Sequence, residues 1–400
     1  MTFRRIYILI GIAAGLSGAL LTTACSDDEG AGRPSRKVCL VLGTGSYSDM
    51  TVQTRALPTG FVPYGNLSPQ VQPGNVQIKA FLTQSGATPA DNVEGLFSYN
   101  GTDWSSRVSV DATTTYYVYG FMPASAATSS SISIAPLDPD GEGEQTADFA
   151  YGAVLSVSDL PAITGADPCV IVGVYDGGLT KTTTTLEGID WTGAGGRWGR
   201  FDYTTENDNG DDDTEYVYLL LDHLYAALRF EYSVDATYDA LRTIKVKQLA
   251  LKPNNGSSSV LTVDITATLT ANTDNSDGSN PLTVTTTTHD TGTTDDPTTI
   301  WSNASDPAVL TTTATAATTI MGCIAPTAVG NRQFVLTTTY DVYDKENNLV
   351  RSNQTAENVI SFLETLNAGQ MYTFAIHVSP TYLYQLSEPD LKFALRASEE

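Results

Sequence analysis

Apolar residues return at every second position along much of this chain, and that spacing admits strands and little else. Leu224, Ala226, Leu228, Phe230, Tyr232 and Val234 alternate with His223, Tyr225, Ala227, Arg229 and Glu231. Successive side chains of a strand point to opposite faces, so such a run lays one face on a core. Val76, Ile78, Ala80 and Leu82 repeat the pattern, as do Leu261, Val263, Ile265, Ala267 and Leu269. Further strands are predicted over 116–122, stopped by Pro123, over 168–174 and over 334–343. Another follows the hairpin turn Leu366-Asn367-Ala368-Gly369, carrying Tyr372, Phe374, Ile376 and Val378 on one face. The apolar phase slips between Val246 and Leu249, which predicts a β-bulge. No stretch long enough for a long amphipathic helix shows the 3.6-residue period.

The fold class is therefore all-β. A chain of 400 residues suits two domains, and short strands with frequent turn signals predict two tandem β-sandwiches. The sharpest break in composition is Glu206-Asn207-Asp208-Asn209-Gly210-Asp211-Asp212-Asp213, which puts the domains at 56–210 and 211–400. This acidic run lacks the residue order of an EF-hand and reads as a solvated interdomain loop. Residues 124–150, 179–190 and 271–300 are rich in small polar and acidic residues and are expected to be loops.

The N-terminus has its own logic. Arg4 and Arg5 precede an apolar run over 6–21, too short to span a bilayer comfortably and laid out as a signal peptide over 1–24. Leu21-Thr22-Thr23-Ala24-Cys25 resembles a bacterial lipobox, with leucine four residues before the cysteine instead of three. Cys25 is thus the expected lipidation site, and Ser26-Asp27-Asp28-Glu29 resembles the acidic signal that directs lipoproteins to the outer face of a Bacteroidetes outer membrane. A lipidated propeptide over 25–55 would follow. Inside it, Val38-Cys39-Leu40-Val41-Leu42 is apolar on both faces, as a strand buried in a groove would be. A Gly/Ser/Thr-rich stretch then leads to Arg55-Ala56, a bond open to a trypsin-like protease. A strand held between a membrane tether and a cleavage site can be cut away, leaving a groove to fill.

Charge and chemistry narrow the function. A net charge of -24 repels phosphate backbones and argues against nucleic-acid binding. Apart from Cys25, the cysteines are Cys39, Cys169 and Cys323, with no CxxC pair; they read as buried free thiols, with one disulfide possible. The three histidines, His223, His289 and His377, form no ligand or nucleophile motif, with His223 and His377 on the non-apolar faces of predicted strands. Gly193-Ala194-Gly195-Gly196 follows no βα pattern and is no phosphate cradle. Neither an enzyme nor a cofactor is expected. Trp191, Trp198 and Trp301 could stack on sugars or pack loops.

Taken in order, these motifs resemble the fimbrillin-like subunits of Bacteroidetes type V pili, the major/minor fimbrillin superfamily. The resemblance rests on the lipoprotein signal at Cys25, the strand 38–42 followed by Arg55-Ala56, the aromatic strand ending at Pro123, and two later signatures. These are Leu221-Asp222-His223-Leu224-Tyr225-Ala226-Ala227-Leu228-Arg229-Phe230 and Leu366-Asn367-Ala368-Gly369-Gln370-Met371-Tyr372-Thr373-Phe374. The resemblance implies transthyretin-like, Greek-key sandwiches and a fimbrial subunit that supports cell adhesion. It implies cleavage after Arg55 by an arginine-specific surface protease, displacement of the strand bearing Val38, Leu40 and Leu42, and polymerisation with other pilus subunits by donor-strand exchange. The donor would be 391–397, through Leu391, Phe393 and Leu395; the same segment could equally be an edge strand of its own domain. Two alternatives stand beside this reading: a monomeric outer-surface lipoprotein binding glycan or host protein, and a pilus anchor that keeps its N-terminal strand.

Overall fold

The computed structural model describes residues 37–42, 77–86, 93–99, 104–106, 108–124, 131–138, 149–175, 199–205, 214–254, 259–271, 281–293, 297–326, 332–362, 366–369, 371–380 and 391–396. Strands dominate them, as the alternation predicts, and they fall into four sheets that pack as sandwiches.

The largest sheet has nine strands. Its order is Trp104–Ser106, Val93–Tyr99, Gln77–Gln84, Thr115–Met122, Cys169–Tyr175, Thr214–His223, Lys37–Leu42 and Ser109–Asp111, with Asp202–Thr204 added beside Thr115–Met122. The sheet curls on itself. Val108 and Val110, at its far end, pack with Ile78, Phe97 and Val118 near the other end. Its opposite face is covered by a four-stranded sheet in the order Leu282–Thr293, Ser259–Thr270, Gly152–Pro161 and Ile132–Pro136. The middle strands are therefore buried on both sides. Tyr116, Val118 and Met122 face the inner core, while Tyr119 and Phe121 face the second. Cys169 and Ile171 divide from Val170 and Val172 in the same way. Two buried faces account for the unbroken apolar runs of these strands. Gly120 sits at a close approach between them and the neighbouring strand: a Cβ there would lie 2.5 Å from the Lys79 carbonyl oxygen and 2.7 Å from Ile171 Cδ1.

The remaining two sheets form a second sandwich. One runs Leu391–Arg396, Met371–Pro380, Ala226–Val234, Thr319–Ile324 and Ile163–Thr164. The other runs Thr298–Ser302, Thr243–Pro253, Arg332–Tyr343 and Leu349–Phe362, with Ala308–Val309 beside Thr243–Pro253. Leu228, Phe230, Tyr232, Val246, Leu249, Phe334 and Ile376 meet between them. The bulge expected near Val246 is present, as a register shift between Val246 and Gln248 against Arg332–Tyr343.

Several expectations are corrected. The alternating run around 223–234 is two strands, because the chain turns at Leu224-Tyr225; both residues are buried in the first unit's outer core while Ala226–Val234 enters the second sandwich. A divide at 210/211 does not match the strand pairing. Thr214–His223 belongs to the nine-stranded sheet, and the hairpin Ser259–Thr270 with Leu282–Thr293 pairs onto Gly152–Pro161. In return Ile163–Thr164 pairs with Thr319–Ile324 of the second sandwich. The stretch 271–300 is not one loop: its threonine-rich part is the strand Leu282–Thr293, in keeping with the strand preference of β-branched threonine. Likewise, 124–150 contains the strand Ile132–Pro136. The turn at 366–369 is not a hairpin, since the strands on either side of it lie in different sheets.

Candidate functional site

Lys37–Leu42 lies within the nine-stranded sheet as an insert. It pairs in parallel with one neighbour, Cys39 to Leu42 against Thr214 to Val217. It pairs antiparallel with the other, Lys37, Val38 and Cys39 against Asp111, Val110 and Ser109. Among the described residues, Thr214–His223 and Ser109–Asp111 are each paired with this strand and not with each other. Val38, Leu40 and Leu42 lie along it, as the sequence reading placed them.

Both walls of this slot have anchors of their own. Thr214–His223 pairs along Tyr218 to His223 with Cys169–Tyr175 on its other side. Ser109–Asp111 is tied down by side chains from elsewhere. The Asp111 N–H donates to the Tyr116 hydroxyl at 2.9 Å, and the Thr205 hydroxyl donates to the Asp111 carbonyl at 2.8 Å. The Thr114 N–H donates back to Thr205 Oγ1 at 2.8 Å. Burial pushes the Tyr116 phenol up in pKa, with the Asp111 N–H opposing, so the hydroxyl stays protonated at neutral pH. Thr205 was not singled out in the sequence, and Tyr116 only as the start of the aromatic strand; long-range pairing reveals their role here.

In the second sandwich Leu391–Arg396 is the edge strand of its sheet, antiparallel to Met371–Pro380. Leu391, Phe393 and Leu395 stand opposite Pro380, Val378 and Ile376 in the register of the pair. Cys25, Arg55, Ala56, Trp191 and Trp198 lie outside the described residues. Trp301 is buried in the second sandwich core and offers no sugar platform.

A second cluster sits at the seam of the two units. Cys169 and His223 are cross-strand partners at the ends of Cys169–Tyr175 and Thr214–His223. His223 Nδ1 lies 2.7 Å from Asp167 Oδ2 and 3.4 Å from Cys169 Sγ. Cys323, from the second sandwich, places Sγ 4.0 Å from Asp167 Oδ1. All four residues are buried, and Cys169 and Cys323 are free thiols, as the sequence reading anticipated. Burial, reinforced by the Asp167 carboxylate, pushes both thiols well up in pKa. His223 was expected on the non-apolar face; the turn at Leu224-Tyr225 folds it inward instead. His289 pairs with Asp264 at 2.8 Å near the surface, and His377 meets Ser233 Oγ at 3.0 Å.

No protein-family model matches this chain, and no curated protein matches it. Solved structures do. A candidate cell adhesion protein from Bacteroides fragilis is 12% identical, with a TM-score of 0.37 over 91% of this chain and 99% of its own. A fimbrial protein from Bacteroides vulgatus is 12% identical, with a TM-score of 0.29 over 80% and 91%. The fimbrial anchor protein Mfa2 from Porphyromonas gingivalis is 7% identical, with a TM-score of 0.27 over 90% and 94%. The structural neighbours of this all-β chain are thus Bacteroidetes fimbrial and candidate cell adhesion proteins, the class that its sequence motifs resemble.

Proposed function

We propose that this chain is a structural subunit of a cell-surface fimbrial fibre, in which Lys37–Leu42 is a placeholder strand. In this reading the chain is exported as an outer-membrane lipoprotein through Cys25 and cut after Arg55 by an arginine-specific surface protease. Lys37–Leu42 then leaves, and Leu391–Arg396 of the next subunit enters the slot. The observation that carries the reading is the position of Lys37–Leu42 between two strands that are each anchored without it. An ordinary edge strand would be lost without opening a gap inside a sheet.

The exchange is a strand addition, in which main-chain pairing supplies affinity and alternate side chains supply fit. Burying Leu391, Phe393 and Leu395 in a neighbour contributes about 1.5–3 kcal/mol each. Withdrawing the strand uncovers the edge of Met371–Pro380, so the slot must return at least that pairing. The chain has no catalytic or cofactor role in this scheme, and its partners are other fibre subunits and the protease.

The test is limited trypsin digestion of the chain lacking its signal peptide, followed by intact mass and native size. Cleavage at Arg55, a folded core beginning at Ala56 and slow growth of a ladder are expected. Deleting 391–400 should leave the cleaved core unable to extend the ladder. Resistance at Arg55 would make the chain an anchor that keeps its strand. A cleaved core that stays monomeric would sink the exchange mechanism.

A further inference from the structure

The seam between the two sandwiches gathers metal-ligand chemistry that the fibre mechanism does not use. Asp167, Cys169 and His223 bring a carboxylate oxygen, a sulfur and an imidazole nitrogen within 4.8 Å of one another. Each comes from a different constraint. Asp167 precedes Cys169 by two residues, and His223 is the residue directly across from Cys169 in the sheet. The Leu224 N–H donates to the Pro168 carbonyl at 2.7 Å, which fixes the two strand ends together. Cys323 brings a second sulfur near Asp167 from the opposite sandwich.

One nitrogen, His223 Nδ1, faces both the carboxylate and the Cys169 sulfur. A single N–H satisfies one of these acceptors well, whereas a cation at their common centre satisfies all three. Two sulfurs, one imidazole and one carboxylate match the borderline-soft preference of zinc. The three grouped atoms can take three corners of a tetrahedral site, and Cys323, 4.0 Å from Asp167 Oδ1, must swing inward to take the fourth. The Asp167–His223 pair would have to part by about half an ångström to admit an ion with bonds of about 2.0–2.3 Å.

We propose that Asp167, Cys169 and His223, joined by Cys323, form a buried structural site for a zinc-like divalent cation that clasps the two sandwiches together. Binding releases the thiol protons to solvent as the thiolates form, with no change of oxidation state. Because all four residues are buried, the ion enters as the chain folds and is retained until it unfolds. The site is independent of the strand-exchange reading.

The experiment unfolds and refolds the full chain under reducing conditions with cobalt(II), then with zinc(II), and removes excess metal. One cobalt per chain is expected, with the visible bands of a tetrahedral centre and a near-ultraviolet thiolate-to-cobalt charge-transfer band. Zinc should displace both signals. Cys169→Ser should remove about half of the charge-transfer intensity, since Cys323 keeps the second thiolate, and His223→Gln should weaken binding by roughly tenfold or more. The charge-transfer band of the unsubstituted chain decides the matter even if a variant fails to refold. Refolded chain without bound cobalt would overturn the proposal. So would bound cobalt lacking the thiolate band, which would place the ion among surface carboxylates.

Discussion

Val38 stands directly opposite Val110 in an antiparallel pair, and this pair joins Lys37–Leu42 to a wall made of only three residues, Ser109–Asp111. Such a short wall holds its place through its tertiary anchors. Releasing Lys37–Leu42 should therefore expose main-chain groups on both sides without unfolding the sheet. Hydrogen exchange of the cleaved chain should show lost protection at 214–217 and 109–111. Protection at 218–223 should persist, because those residues pair with Cys169–Tyr175. Uniform loss across 214–223 would mean that the strand supports the whole sheet.

Thr205→Val tests the wall itself. The hydroxyl accepts from the Thr114 N–H and donates to the Asp111 carbonyl in a buried setting. Stranding these groups should cost about 1–3 kcal/mol, read as a lower denaturant midpoint with an unchanged slope. If the slot is the subunit joint, the same variant should also lengthen fewer ladders after cleavage.

Gly120→Ala addresses the doubly buried strand Thr115–Met122. The added methyl meets the Lys79 carbonyl on the neighbouring strand, where main chain cannot yield cheaply. A destabilisation of about 1–3 kcal/mol is expected in urea unfolding. A neutral result would show that the strands can separate locally at this point.

Three surface carboxylates set an acid limb to stability. Asp235 is held below its ordinary pKa of 3.8 by the Thr237 hydroxyl and N–H, Asp264 by the Asp159 N–H, and Asp344 by the Asn348 side chain and N–H. A depressed folded pKa means that the stabilisation is present above the unfolded value and is lost as pH falls through the folded value. Carbon-13 titration of these carboxyls should give midpoints below 3.8. In Asp235→Asn, where the cap remains but the charge does not, the stability curve should flatten below that pH.

Much of this was legible in the sequence because burial on one face leaves a period of two. Val263, Ile265, Ala267 and Leu269 were placed on one face and are all buried there. The strand Lys37–Leu42 was legible because Val38-Cys39-Leu40-Val41-Leu42 has no polar face, and it does lie between two neighbours. The edge strand Leu282–Thr293 was hidden because threonine reads as polar although its branched Cβ suits a strand. His223 was misplaced because periodicity carries no signal for the turn at Leu224-Tyr225. The roles of Thr205, Tyr116 and Asp167 depend on contacts between distant segments, which no local pattern encodes.

The hairpin of Ser259–Thr270 and Leu282–Thr293 reaches back to Gly152–Pro161, and this dictates an order of events at birth. Until residue 293 is synthesised, the outer core around Phe121, Val170 and Val172 is covered by Ile132–Pro136 and Gly152–Pro161 without the other two strands of that sheet. The first sandwich therefore cannot finish ahead of the second half of the polypeptide, and a fragment ending near 210 lacks both the hairpin and the central strand Thr214–His223.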